Sequence, residues 1–150
     1  MEFVKVEWDS SGVKLDPRAY LAELPRLEAL LPPGAWAYVS DIEHYSPPLS
    51  RSVKDLELTG IDVATDKSGS LTLSFAPNRW KHDRGLRIRY AGVSHFSIDY
   101  DAEADRMRVD TVLLDEVLPR ESGGCLHEIE LTGASIVVHC SDLEAVWVSP

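Results

Sequence analysis

Cys125, His127, Cys140 and Asp142 are the residues of this 150-residue chain whose types and spacing come nearest to a metal site or a nucleophilic pair. Thiolate, imidazole and carboxylate are all zinc-compatible ligands. The four fall on or beside one predicted hairpin, residues 126–132 and 135–140, which flank Gly133-Ala134, a glycine-first pair suited to a two-residue turn. Counting outward from that turn sets Leu131 across from Ile136, Ile129 across from Val138, His127 across from Cys140 and Cys125 across from Asp142, all on one face. Two observations weigh against a metal. Cys-x-His is not a common finger or ribbon spacing, and the apolar residues on the same face mark it as core. No metal is therefore favoured. Cys140 is expected as a small core residue and His127 at the core edge, bonded to backbone or to Asp142.

The same imidazole and thiols could form a nucleophilic pair, since a neighbouring histidine stabilises thiolate. No strand-to-helix elbow lies near either cysteine, and mid-sheet cysteines are usually inert. Asp115-Glu116 is the best local pair of carboxylates. Neighbours on a strand point to opposite faces, however, so the two cannot act on one substrate. They are expected at a solvated strand end. No serine stands in a G-x-S-x-G context, and there is no phosphate-cradling glycine loop. No catalytic residue and no cofactor is assigned.

Charge narrows the partners. With 15 Lys+Arg against 25 Asp+Glu the formal net charge is −10. That excludes a phosphate-neutralising nucleic-acid binder and an anionic membrane surface as first readings. Arg79, Lys81, Arg84, Arg87 and Arg89, interleaved with Trp80 and His82, form a local basic stretch. In a chain this acidic it is expected to pair within the fold. An acidic surface steers basic proteins into contact. Of the tryptophans, Trp8, Trp36 and Trp147 are core by default, whereas Trp80 lies in a polar loop and is expected to be exposed as an interface anchor. The candidate partner-binding set is Trp80, Asp115, Glu116, Glu128 and Glu130.

The elements that must position these residues are mostly strands. Residues 1–8 alternate apolar and charged side chains, a strand rather than a signal peptide. Asp16 as N-cap and Pro17 at the first position open a helical region whose stripe is Tyr20, Leu21, Leu24, Leu27, Leu30 and Leu31. Pro25 predicts a kink or two short helices in tandem, and Pro32-Pro33-Gly34 predicts the end of the region. Strands are predicted at residues 36–42, 56–64, 71–75, 86–90, 93–100, 107–114, 126–132, 135–140 and 143–148, with a bulge or tight turn at Ala91-Gly92. The expected fold is α+β and mostly β, one domain over residues 1–150. It is an antiparallel sandwich or curled sheet with an N-terminal helical region packed on it. No apolar run reaches membrane-spanning length, so the cytoplasm is the expected compartment and both cysteines are expected as thiols.

Leu86-Arg87-Ile88-Arg89-Tyr90-Ala91-Gly92-Val93, followed by Phe96, resembles the apolar-x-F-x-G-V-x-x-F strand pair of many short bacterial proteins, with Tyr90 standing for the phenylalanine. Leu114-Asp115-Glu116-Val117-Leu118-Pro119, then His127-Glu128-Ile129-Glu130-Leu131, resembles their L-D-E-I … H-E-I-x-L ending. Several of those families are grouped with the immunity proteins of polymorphic-toxin systems. The resemblance implies a small cytoplasmic protein that binds a toxin domain and needs no catalytic residues. The expected function is thus a non-enzymatic protein-binding module, an immunity-type inhibitor of a basic toxin or nuclease. Two rivals stand beside it: a small β-fold enzyme or zinc protein using the His127/Cys140 cluster, and a structural subunit that forms homodimers through sheet edges.

Overall fold

A computed structural model describes residues 1–103 and 111–149. The period-two alternation of the sequence becomes strands that bury one face. In β4, Leu71–Ala76, the residues Leu71, Leu73 and Phe75 are buried while Thr72 and Ser74 stay near solvent. In β5, Gly85–Ala91, Leu86, Ile88 and Tyr90 turn inward and Arg87 and Arg89 outward. β8, Cys125–Leu131, and β9, Ala134–Cys140, bury every second residue. Burying each large apolar side chain contributes about 1.5–3 kcal/mol. The remaining strands are β1 Lys5–Asp9, β2 Gly12–Asp16, β3 Glu57–Val63, β6 His95–Tyr100, β7 Val112–Pro119 and β10 Asp142–Val148. They make a β1-β2 hairpin and two four-stranded antiparallel sheets, ordered β10-β5-β4-β3 and β6-β9-β8-β7. The fold is α+β and mostly β, as the sequence predicts. Of the predicted strand 107–114, residues 107–110 lie outside the described residues.

The two large sheets are joined through one bent ribbon. β5 leads into β6 and β9 leads into β10, with β5 paired to β10 and β6 paired to β9. The bend falls at Gly92 and Ser141, where the Ser141 amide donates to Ala91 O at 2.8 Å. Gly92 has φ +59°, and a Cβ there would lie 2.2 Å from Ser141 Oγ, so only glycine fits the corner. The opposite edges, β3 and β7, meet at a Glu57–Thr111 bridge. The Asp55 amide donates to Val112 O, and the Val112 amide to Leu56 O, both at 2.8 Å. The sheet is therefore curled back on itself around one apolar interior.

The helical region departs from expectation. α1, Arg18–Leu27, runs through Pro25 and ends two residues later. Asp16 is the last residue of β2 rather than an N-cap, and its carboxylate pairs with Arg18. Pro32-Pro33-Gly34 starts a second helix, α2, Pro33–Val39, in the stretch predicted as the strand 36–42. Proline at the first helical position leaves no amide unpaired. The next two amides, of Gly34 and Ala35, donate to Asp142 Oδ2 and Oδ1 at 3.1 and 2.9 Å. A carboxylate more than a hundred residues away thus does the work of a local cap. A Cβ on Gly34 would fall 1.9 Å from Leu143 O, so glycine lets α2 lie directly on β10. α1 is fastened to β7 by Tyr20, whose hydroxyl donates to Val117 O at 2.6 Å and accepts from the Val117 amide at 3.2 Å.

Candidate functional site

The hairpin holding Cys125, His127 and Cys140 forms on the predicted face, but its register is shifted by two residues. Leu131 pairs with Ala134, Ile129 with Ile136, His127 with Val138 and Cys125 with Cys140. The two-residue loop is Thr132-Gly133, with Gly133 at φ +85° supplying the left-handed position second rather than first. A shift of two preserves which residues face inward and changes which ones meet. The four candidate metal ligands therefore do not converge. Asp142 is held at the start of α2, and His127 is bonded to neither backbone nor Asp142. The buried thiols of Cys125 and Cys140 lie with their Sγ atoms 3.5 Å apart. Their shared hydrogen bond, with burial, pushes the Cys125 thiol well above the usual range. Among the described residues no three His, Cys, Asp or Glu side chains are arranged to hold a metal.

His127 instead joins a centre built on Asp115. Between Val112 and Leu114, β7 carries one residue more than β8, a bulge that reverses its facing. After the bulge Asp115 and Val117 point inward with Ile129 and His127, while Leu114 and Glu116 share the other face with Glu130 and Glu128. Asp115 is 1 % exposed. His44 Nε2 lies 2.7 Å from its Oδ1, His127 Nε2 3.0 Å from its Oδ2, and the Tyr38 hydroxyl donates to Oδ2 at 2.7 Å. Tyr90 Oη stands 2.8 Å from His127 Nδ1, and the Tyr45 hydroxyl donates to Asp115 O at 3.3 Å. This chain of contacts sets the protons: Tyr90 donates to His127 Nδ1, and both Nε2–H groups donate to the carboxylate.

Burial alone would raise the Asp115 carboxyl. Attraction to His44 and the hydrogen bonds from His127 and His44 outweigh it and hold the group well below the usual carboxylate range. Tyr38, Tyr45 and Tyr90 are pushed up, first by burial, so their hydroxyls stay protonated donors. Asp115 is therefore buried and not at the solvated strand end that the sequence predicts; two imidazoles and a phenol make burial of its charge tolerable. Nothing in the sequence marks His44 or Tyr38 as part of this centre. Tyr38 lies in α2, whose composition is strand-like, and His44 follows it in an irregular segment where no periodicity marks an inward residue.

Glu116 is buried too, on the opposite face, and is likewise corrected from a surface acid. Its carboxylate accepts the amides of Glu2, Phe3 and Val4 at 2.6, 2.7 and 2.7 Å. Glu128 meets the Met1 amine at 3.0 Å and is partly exposed. Glu130 is half-buried, and its carboxyl is raised by burial and by Asp101 and Glu128. Alternation has given Asp115 and Glu116 separate tasks on separate faces.

A surface cleft and an exposed loop lie side by side. The cleft, of about 150 Å³, lies between α2 and β10 and is lined by Ala37, Tyr38, Asp41, His44, Glu144 and Trp147. The loop carries Trp80, which is 97 % exposed. The loop is tied down on both sides of that side chain. Asn78 Oδ1 accepts the Trp80 amide at 3.0 Å, and Asn78 O accepts the His82 amide at 2.8 Å. His82 Nδ1 accepts the Asn78 amide at 3.1 Å while its Nε2 meets Ser52 O at 2.9 Å. Lys81 reaches Asp55, so part of the basic stretch pairs within the fold as expected. His82 also stacks on Trp147, ring centres 6.3 Å apart, which makes the loop and the cleft neighbours. Trp8 is 61 % exposed and is not core. No family model and no curated protein sequence matches the chain.

Proposed function

We propose that the chain is a non-enzymatic protein-binding module of the immunity type, which occupies a basic partner such as a toxin nuclease. The observation that carries this reading is Trp80. A tryptophan held out into water on a loop fixed by its own hydrogen bonds loses little freedom on binding and is the residue type that most often dominates an interface. The net charge of −10 favours encounter with a basic surface. Asp115 and Glu116 are internal and take no part. Asp83 lies in the Trp80 loop itself and Glu57 beside Arg79 and His82, Asp41 and Glu144 line the cleft walled by Trp147, and Glu128 and Glu130 stand on the other sheet.

The test starts with tagged protein used to capture partners from lysate of its source organism, eluted with a salt gradient. A basic protein held one-to-one, released by salt and losing its activity when titrated with the pure chain is the expected result. Trp80→Ala should weaken that complex by about thirtyfold, the size of an interface hot spot. A partner whose affinity ignores both salt and Trp80→Ala would overturn the reading. A homodimer in native mass measurement, with no partner captured, would replace it with self-association.

A further inference from the structure

Three of the five histidines are engaged inside the fold: His44, His82 and His127 are buried, each with a ring nitrogen hydrogen-bonded to a neighbour. The other two, His95 on β6 and His139 on β9, reach the surface, and the register sets them directly across from each other. Cross-strand partners project from the same face of a sheet. The two ring centres are 4.8 Å apart, with the planes inclined by 43°. His95 Nε2 lies 3.3 Å from Ser97 Oγ, and the His139 ring has no hydrogen-bond partner among the described residues. The pair stands beside the Gly92–Ser141 corner, where the Ser94 amide donates to His139 O at 2.9 Å, so the backbone under both rings is tied in place.

We propose that His95 and His139 together bind one divalent ion of the imidazole-preferring class, zinc or copper(II), on the outer face of the β6-β9-β8-β7 sheet. Imidazole nitrogens bond such ions at about 2.0–2.1 Å. Two imidazoles on one ion then place their ring centres roughly 4.5–5.2 Å apart for bond angles of about 90–110°. The observed 4.8 Å falls inside that range. The strands already hold both ligands at this separation, so binding has no loop to order. Of the charged groups near His139, Glu128 draws a cation in and Arg120 repels it. Glu128 is held by the Met1 amine and is not a third ligand. Two protein ligands are fewer than the four of a closed structural site, so water fills the remaining positions and the affinity is moderate. Trp80 lies between β4 and β5 of the other sheet, so this site stands independently of the protein-binding reading.

The probe is Zn²⁺ alone, titrated into the whole protein at about pH 7.5 while the ring signals of the histidines are followed by NMR. Saturable shifts confined to His95 and His139, at one ion per chain and with affinity on the order of 0.1 mM, are expected. Mg²⁺, which prefers oxygen ligands, should move neither ring. His95→Gln and His139→Gln should each weaken zinc binding by about tenfold or more, because each leaves a single imidazole. Arg120→Gln removes the nearby positive charge and should tighten binding about threefold. His95 is exposed and His139 half-buried, so both variants should unfold at the wild-type temperature. Should either fail to fold, the one-ion stoichiometry, the paired ring shifts and the Arg120→Gln gain decide the matter in its place. Binding that survives the loss of either histidine, shifts at one ring without the other, equal shifts from Mg²⁺, or a second ion bound as tightly elsewhere would overturn the proposal.

Discussion

His127 Nε2 hydrogen-bonds Asp115 Oδ2 at 3.0 Å across two neighbouring strands, and the contact exists because β7 holds one residue more than β8 just before it. Without that bulge Glu116 would point inward in place of Asp115. The centre of the molecule is thus organised by a single inserted residue.

Replacing this carboxylate should be severe. Asp115→Asn keeps the shape and removes the charge that both imidazoles face, so a loss of about 3–5 kcal/mol in urea unfolding is expected. The acid dependence follows in sign. The folded-state value of Asp115 is depressed, so its contribution is complete above the unfolded value of about 4 and is lost as pH falls below it. Unfolding midpoints measured from pH 6 down to pH 3 should therefore fall more steeply for the wild type than for Asp115→Asn. Parallel curves would show that the carboxylate is not held as described.

Glu116 anchors the N-terminal segment with three amide contacts. Glu116→Gln leaves one acceptor oxygen and sets an amide NH₂ against backbone N–H groups. A cost of about 2–4 kcal/mol follows from losing charge-assisted bonds at a buried site. Release of residues 2–4 should also expose the peptide bond after Lys5, so brief trypsin digestion followed by mass spectrometry should cut the variant well before the wild type. Equal digestion rates would mean that other contacts hold the segment.

The paired thiols give a chemical test of the register. Cys125 and Cys140 are 0 % and 2 % exposed, so a disulfide reagent such as Ellman's should label them slowly in the native protein and at once in urea. Because they are cross-strand partners, diamide should take two electrons and two protons from the pair, itself becoming the hydrazine, and leave an intramolecular disulfide. Intact mass would fall by two hydrogens, without dimers. The predicted register, with Cys125 opposite Asp142, would give no such product.

Much of the sheet is legible in the sequence because half-buried strands repeat every two residues: Leu71, Leu73 and Phe75, or Leu86, Ile88 and Tyr90, declare an inner face without help from elsewhere. Phase along a ladder is less visible. Gly133 can occupy either position of a two-residue loop, and the choice moves every cross-strand neighbour by two. The bulge at Leu113 has no glycine to announce it. Trp36 to Val39 has strand-like composition, and the group that makes it a helix is Asp142, remote in sequence and close only after folding. Acidic residues are ordinarily exposed, so neither Asp115 nor Glu116 could be placed inside without knowing that two histidines, or three backbone amides, wait for them.

The junction of β3 with β7 closes the curled sheet close to its buried acid. Among the described residues it is made by the Asp55–Val112 and Val112–Leu56 hydrogen bonds and the Glu57–Thr111 bridge. Strand junctions open locally on the way to unfolding. Val112 lies three residues before Asp115 on the same strand, so each brief parting of the junction is also a door through which water and protons reach the sealed carboxylate. His127, 0 % exposed, then exchanges protons with solvent at a rate set by how often that door opens.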